Sequence, residues 1–388
     1  MNSRKGIWMD PARALYALLP SGRLKASIRK AFLTTQRKAA ECRRLAEESY
    51  GGRIPEESDY PSRVGVRVGI IKDHMWYFVH NVKACRELGI PYRLIDITRD
   101  DWNRRSFYEG YNAILAWPSV NHSSWKPLFD ERLHILVAHY GVRLIPRIDE
   151  LWLQDSKRRV AYWLESHGVP APRSWVFYDR ERAMEFADET DYPVVCKTDT
   201  GAASAGVTIV RSRRMARRLI RKAFGRGLSA RGSDSNDRQV GSVLFQEYIH
   251  HDFEWRVARI GPYYLCRRKT RVGDYASGSG AIGWATPPPG MLDFVREVTE
   301  RGRFSSMVLD LFDAPAGDPR GQYLVNEMQC LVGAIKQESN MNEATGRWSL
   351  GEHGDWSFEP GFFYQNACAN LRLGLFLSEQ EAGGRAHQ

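Results

Sequence analysis

The sequence is poor in the features that mark secreted, metal-knuckle and membrane proteins. Its six cysteines, at 42, 85, 196, 266, 330 and 368, include no Cys-x-x-Cys pair. That scatter argues against a zinc site or a disulfide framework and fits reduced thiols in a cytosol. No run of about 18 apolar residues is present, the length a membrane-spanning helix needs. The longest candidate, 362–377, is broken by Gln365, Asn366, Asn370 and Arg372. The N-terminus lacks the charged-then-apolar pattern of a signal peptide, so a cytoplasmic location is expected. No G-x-S-x-G or H-E-x-x-H occurs, and no cysteine reads as a nucleophile. The first strand candidate is followed by "VGIIKDHMW", with one glycine where a dinucleotide fold needs three. Acid is scarce in two places. Residues 1–50 hold 11 Lys/Arg against 4 Asp/Glu, and Arg211 to Arg231 carries nine cations and no acid. Such fields favour anionic partners such as a nucleotide, an anionic polymer or a lipid surface. No nucleic-acid recognition motif accompanies the charge.

What is present reads as a globular enzyme-sized chain. Its 388 residues, 43% hydrophobic and 26% charged, suffice for two to three domains. Residues 1–60 read as a basic helical extension with an apolar stripe at Leu24, Ile28 and Phe32, ending in "GGRIPEESDYPS". A basic amphipathic helix of this kind suits peripheral contact of residues 1–50 with anionic lipid or a protein. Over 61–150, strand candidates "RVGVRVGII", "PYRLIDI", "YNAILAWPS" and "VRLIP" alternate with helices, which implies a parallel sheet with crossovers. Segments 151–245 and 246–377 mix helices with strand pairs, and 378–388 reads as a flexible tail. The fold class is therefore α/β, with an N-terminal parallel α/β domain followed by two α+β subdomains.

The chemistry centres on "KTDTGAASAGVTIV", Lys197 to Val210. A P-loop places its lysine after the second glycine. Here Val207 follows Gly206, and Lys197 instead precedes the loop at a strand end. A glycine hairpin can fold over phosphates and donate N–H groups, while a lysine beneath supplies a fixed charge. The same stretch alone also reads as an ordinary turn. Farther on come Gln246-Glu247-Tyr248-Ile249, then Glu254-Trp255-Arg256, then Arg267-Arg268-Lys269 before a glycine loop. Asp310 follows in "VLDLF", and Glu327 and Gln329 in "VNEMQ". Asp310 between two leucines would be costly to bury without a partner. Glu327 and Gln329 are two apart on a strand and face one way. Lys157 reads equally as an exposed helix lysine, and Cys196, beside Lys197, as core.

In this order and spacing the motifs resemble the ATP-grasp superfamily, in particular its glutathione-synthetase-like and ribosomal-protein glutamate ligase-like branch, over roughly residues 65–377. The resemblance implies a pre-ATP-grasp domain and two subdomains that clasp ATP. It implies that Lys157 and Lys197 bind ATP, with Gly201, Ala202, Ser204 and Gly206 in the phosphate-covering loop. Gln246, Glu247, Tyr248 and Ile249 would form the adenine hinge, the Glu247 side chain included, and Glu254 would stand near the ribose or acceptor. Arg268, with Lys197, would be catalytic, contacting the transferring phosphate. Asp310, Glu327 and Gln329 would hold Mg2+ or Mn2+. Gln329 departs from the asparagine common in the family, and "CLVGAIKQESNMNEATGRW" departs from the usual short ending. The implied activity is ATP-dependent ligation of a carboxylate to an amine through an acyl phosphate. The alternatives are phosphoryl transfer to a hydroxyl and a degenerate ATP-binding module. Neither acceptor nor oligomeric state is legible.

Overall fold

The computed structural model of the chain describes residues 35–118, 122–201, 204–230, 233, 237–277, 281–333 and 345–385. The expected helical stripe at Leu24, Ile28 and Phe32 lies outside the described residues, as does Ala202. After helix α1 (Thr35–Tyr50), strands β1 (Val68–Ile71), β2 (Tyr92–Ile95), β3 (Ala113–Leu115) and β4 (Leu144–Ile145) form a parallel sheet in the order β2-β1-β3-β4. β1 and β3 are buried throughout, as expected of parallel strands covered on both faces. Helix α2 (Val79–Leu88) stops at Gly89, which adopts φ +67 and caps the helix in the left-handed conformation. Helices α3 (Trp125–Tyr140) and α4 (Ile148–Leu153) lead to the next unit.

The last helix corrects one expectation. Residues from 378 onward read as a flexible tail, yet helix α9 runs Ala369–Arg385. Its Leu373 and Phe376 share a core with Val68, Ile70 and Val82 of the first sheet. Burying two such side chains contributes about 3–6 kcal/mol, enough to hold the C-terminal segment on the N-terminal domain. Asn366, Asn370 and Arg372, which interrupt the apolar run, are hydrogen-bonded, both asparagines to Glu87. Arg372 donates to Ser306 Oγ and to the Cys330 carbonyl. No described helix is long and apolar enough to cross a membrane.

The middle unit, the expected lid, is a four-stranded antiparallel sheet. Helix α5 (Lys157–Ser166) precedes strands β5 (Ser174–Phe177), β6 (Val194–Lys197), β7 (Val207–Val210) and β8 (Val243–Glu247), which pair antiparallel in the order β5-β8-β6-β7. Helices α6 (Arg180–Glu189) and α7 (Arg213–Ala223) cover one face. Ala183, Ala187, Ala216 and Ile220 pack there against Cys196, Val210 and Phe245. Cys196 is therefore core. The alternate residues Val195, Lys197, Val207 and Ile209 are left for the other face, by the two-residue period of a strand. The cationic face of α7 is exposed on the helix-covered side, and its Arg217 pairs with Asp188 at 3.0 Å.

The third unit carries the long antiparallel sheet. Strands β9 (Phe253–Ile260) and β10 (Tyr263–Thr270) form the expected hairpin about Gly261, followed by β11 (Ile282–Trp284) and helix α8 (Met291–Arg301). Then come β12 (Ser306–Asp313), β13 (Tyr323–Gln329), β14 (Gly346–Leu350) and β15 (Trp356–Pro360). The order is β13-β12-β9-β10-β14-β15, with β11 also on β10. Val257, Met307, Leu309 and Leu311 join Met291, Val295 and Val298 of α8 in the largest core. Helix α8 thus occupies one face of this sheet and leaves the other to the charged residues described below.

Candidate active site

The lid and the long sheet enclose a cleft of about 700 Å³, open solvent included. Apolar walls come from both sides, Val195 and Ile209 from the lid and Phe312 from the long sheet, with the β8 end supplying Gln246, Glu247, Tyr248 and Ile249. Such a slot suits a flat ring between two sheets. Lys157, Lys197, Gly201, Ser204, Glu254 and Glu327 also line the cleft. The structure thus brings together ten of the residues singled out from the sequence.

Each lysine is placed by a local device. Ser156 caps α5 by accepting from the Arg159 N–H, which sets Lys157 in the first helical turn. The Lys157 ammonium donates to the Gly201 carbonyl at 2.7 Å and stands 3.6 Å from Glu327. Lys197 ends β6, and its Nζ donates to Asn326 Oδ1 at 2.9 Å. Burial pushes Lys197 down to about 8, against the pull of Glu327. Gly206 is held for a steric reason: a Cβ there would lie 1.8 Å from Thr198 Oγ1. It is not among the residues lining the cleft. It lets β7 start close against β6, where its carbonyl accepts from the Thr198 N–H at 2.9 Å. Ser204, at φ +56, donates to the Ser277 carbonyl at 2.8 Å and so joins the lid loop to the loop after β10.

Beneath the lysines runs a polar network on the uncovered face of the long sheet. Asn326 Nδ2 donates to Glu254 at 2.9 Å. Glu254 accepts from the Lys269 ammonium and from Ser277 Oγ. Lys269 also donates to Asp310 at 2.6 Å. Arg256 grips both Asp310 oxygens, Nε and Nη2 each at 2.7 Å. Burial would raise the Asp310 carboxyl, but Arg256 and Lys269 hold it far below the usual carboxylate range.

Four expectations change. Arg268 does not face this network. It is exposed on the α8-covered face, over the rings of Phe253 and Trp255 at 5.0 and 5.7 Å. Strand parity is the reason: Arg267 and Lys269 take the network side, and Arg268 between them must take the other. Asp310 was read as a metal ligand because a lone buried acid is costly; its partners are Arg256 and Lys269 instead. Gln329 sits opposite Val308, outside the cleft lining. Of the three expected ligands only Glu327 lines the cleft, and no three His, Cys, Asp or Glu of the described residues are grouped to hold a metal. With three of its lone-pair positions taken by cations, Asp310 does not fit a metal centre. The Glu247 side chain is also committed elsewhere. It accepts from Arg320 at 2.6 and 3.1 Å and from the Arg173 N–H at 3.0 Å, joining lid to body. Burial opposes its ionisation, but these donors keep its carboxyl below the ordinary value.

Three residues that the sequence reading passed over belong to the site. Arg256 shares a face with Glu254 by the two-residue period that the sequence does carry, and Lys269 joins them through its cross-strand pairing with Glu254. Asn326 reaches the cleft through a register shift in β13 between its pairs with Asp310 and Leu311. Such a bulge turns an extra side chain toward one face, and no local sequence signal marks it.

No family model matches the chain. Phosphoribosylamine–glycine ligase of Fusobacterium nucleatum is 28% identical over 104 residues, 27% of this chain. The chain spans about a quarter of that relative's length, 23%. Among solved structures, a RimK-domain ATP-grasp protein of Sphaerobacter thermophilus is similar over 68% of this chain and 90% of its own, at 16% identity and TM-score 0.47. N5-carboxyaminoimidazole ribonucleotide synthetase, in complex with ADP, is similar over 73% of each chain, at 15% identity and TM-score 0.49.

Proposed function

We propose that the chain is an ATP-grasp enzyme that uses ATP to join a carboxylate to an amine through an acyl phosphate. The observation that carries this reading is the meeting of Lys157, Lys197, Gly201 and Ser204 in one cleft with the apolar Val195, Ile209 and Phe312. A polyphosphate needs fixed positive charge and backbone donors, and a purine needs flat apolar walls. Phosphoryl transfer is chiefly positioning and charge neutralisation, so this cleft requires no side-chain nucleophile.

In the first step a carboxylate oxygen of the acid substrate attacks the γ-phosphorus, and the bond from that phosphorus to the β,γ-bridging oxygen breaks with ADP as leaving group. Lys157 and Lys197 offset the charge that builds on the phosphate oxygens, in a setting where water screens little. In the second step an amine nitrogen attacks the carbonyl carbon of the acyl phosphate. The nitrogen loses a proton and inorganic phosphate departs with the bonding pair. Glu327, part-exposed in the cleft, is the carboxylate to accept a hydrogen bond from the amine, while Glu254 is taken up by Lys269, Ser277 and Asn326. The Ser204–Ser277 bond ties the two sides of the cleft together at the phosphate-binding residues.

Calorimetric titration with a non-hydrolysable ATP analogue tests the nucleotide half, with Lys197→Met as the variant. Binding by wild type, weakened at least about tenfold in the variant, is the expected result for loss of a charge-assisted contact. ADP release in mixed pools of carboxylates and amines, with amide recovered by mass spectrometry, tests the other half. Phosphorylated hydroxyl compounds without amide would replace ligation by phosphotransfer. No analogue binding by wild type would refute the reading as a whole.

A further inference from the structure

One transverse row of the long sheet contains a group that nucleotide binding does not use. The ladders pair Glu327 with Asp310, Asp310 with Arg256, Arg256 with Arg267, and Arg267 with Trp284. Residues directly opposite in a ladder stand on one face, so two arginines are immediate neighbours there. Arg256 is neutralised by Asp310. Arg267 is not: it is 3% exposed, has no ion-pair partner among the described residues, and its Nε lacks a hydrogen-bond partner. A like charge beside it and water excluded around it make this arrangement costly as it stands.

Two rings close the arginine in. Its guanidinium carbon lies 5.7 Å from the Trp284 ring centre and 5.6 Å from that of Tyr364. The rings meet edge to face at 5.0 Å. Trp284 is 4% exposed and Tyr364 1%, and Trp284 Nε1 and Tyr364 Oη also lack partners. Three buried polar groups from three separate segments therefore stand together, and among the described residues the one acceptor the guanidinium faces is the neutral Tyr364 oxygen, which leaves Arg267 Nε, Trp284 Nε1 and the positive charge unanswered. A guanidinium fork and an indole N–H can only donate, and a phenol O–H donates to a stronger acceptor. Their complement is an anion. One unbalanced positive charge matches a monoanion, and a planar fork between rings matches a planar one better than a tetrahedral dianion.

We propose that Arg267, Trp284 and Tyr364 form a seat for a carboxylate, and that this seat takes the acid substrate. Ownership of the carboxylate rests on the ligase reading; the anion itself does not. The seat lies one strand beyond the Arg256–Asp310 pair, in the same ladder row and on the same face of the sheet as Glu327, which lines the cleft. It selects an acid whose carboxylate arrives singly charged and flat, and it becomes stable only when that acid neutralises Arg267.

The test is thermal unfolding of the full chain, without nucleotide, in chloride buffer at constant ionic strength with sodium acetate or inorganic phosphate added. Wild type should show a saturable rise in Tm with acetate and a smaller one with phosphate. Arg267→Met should weaken the apparent acetate affinity about tenfold or more, the usual worth of a hydrogen bond to a charged group, and should be no less stable than wild type in chloride alone. Trp284→Phe and Tyr364→Phe keep the rings and remove one donor each. Both should weaken the acetate response by a few-fold, and they decide the matter if Arg267→Met does not fold. A full acetate response in both ring variants would make Arg267 a structural cation and overturn the proposal. A phosphate response that exceeds the acetate one and vanishes in the same variants would give the seat to a phosphate and overturn the carboxylate assignment. Failure of wild type to bind the ATP analogue would refute the ligase reading and leave the acetate result to judge the seat.

Discussion

The titration of Lys197 offers the sharpest test of the cleft. Its ammonium is 8% exposed, and burial lowers its pKa from 10.5 to about 8, opposed by Glu327. A depression of that size corresponds to about 3 kcal/mol carried by the folded protein when the lysine is charged. The sign follows from proton linkage. Between pH 8 and 10.5 the unfolded chain holds the proton and the folded chain has released it, so folded stability rises with pH through this window. Below pH 8 both states are protonated and the whole penalty is present. Lys197→Met has no such group. The stability of wild type relative to Lys197→Met should therefore climb by about 3 kcal/mol from pH 7 to pH 10.5, read from urea midpoints at fixed pH. The same group should report the ligand. Bound polyphosphate restores the ammonium, so analogue binding at pH 8 should take up about half a proton, as a site half protonated when free and fully protonated when bound requires. Calorimetry in two buffers of different ionisation enthalpy measures that uptake, with Lys197→Met as the blank. A pH-independent stability difference would refute the burial argument. Binding with no proton uptake would refute the placing of Lys197 under the phosphates.

Three further perturbations address the rest of the cleft. Asp310→Asn leaves Arg256 buried without its anion and Lys269 with Glu254 alone, and should cost about 3–5 kcal/mol by denaturant titration; an Asp310 waiting for a metal would instead make the metal-free variant more stable. Gly206→Ala forces a Cβ against Thr198 Oγ1 and should lower stability by about 1–3 kcal/mol. Adding Thr198→Ala should recover most of that loss in Tm, and a strictly additive double variant would sink the steric account. Arg320→Met frees Glu247 at a half-buried surface, so stability should fall by no more than about 1 kcal/mol. Analogue affinity should fall more than stability does, because the lid loses its tie to the body; unchanged affinity would refute the bridging role.

Much of the architecture could be read from one chain because its elements announce themselves locally. "RVGVRVGII", "PVVCKT" and "SMVLDLF" are short β-rich runs, and each contains an observed strand, β1, β6 and β12. The hairpin about Gly261 and the helix ending at Gly89 follow from single glycines that tolerate positive φ. The C-terminal helix was hidden because Gln365, Asn366, Asn370 and Arg372 interrupt its apolar run. Those polar groups are answered by distant partners, Glu87 for both asparagines and Ser306 and Cys330 for the arginine. Partners so far away in sequence leave no local trace. The β14–β15 hairpin is likewise hidden, because Trp348, Trp356 and Phe358 in the sequence read equally as loop or core aromatics, and only the pairing of the two strands puts Trp348 opposite Phe358.

The charged site divides along the same line, and the division has a physical origin. Parity along a strand is local, so the sequence alone contained the fact that Arg267 and Lys269 share a face and Arg268 does not. Register between strands is not local. Nothing within "VLDLF" discloses that Arg256 stands beside Asp310, and without that neighbour the isolated acid reads as a ligand for a metal. The ladder from Glu327 to Trp284 converts five residues scattered over some 70 positions of sequence into one row of two acids, two arginines and an indole. Within that row the acids and one arginine account for each other, and the second arginine is left over. A surplus of charge in a buried row is a property of pairing, visible only once the register is known. It is also what a protein needs if the missing counter-charge is to come from its substrate. The residue that the sequence offered as catalytic, Arg268, lies on the wrong face to serve, whereas its neighbour Arg267 has the burial, the charge and the absent partner that recognition of an acid demands.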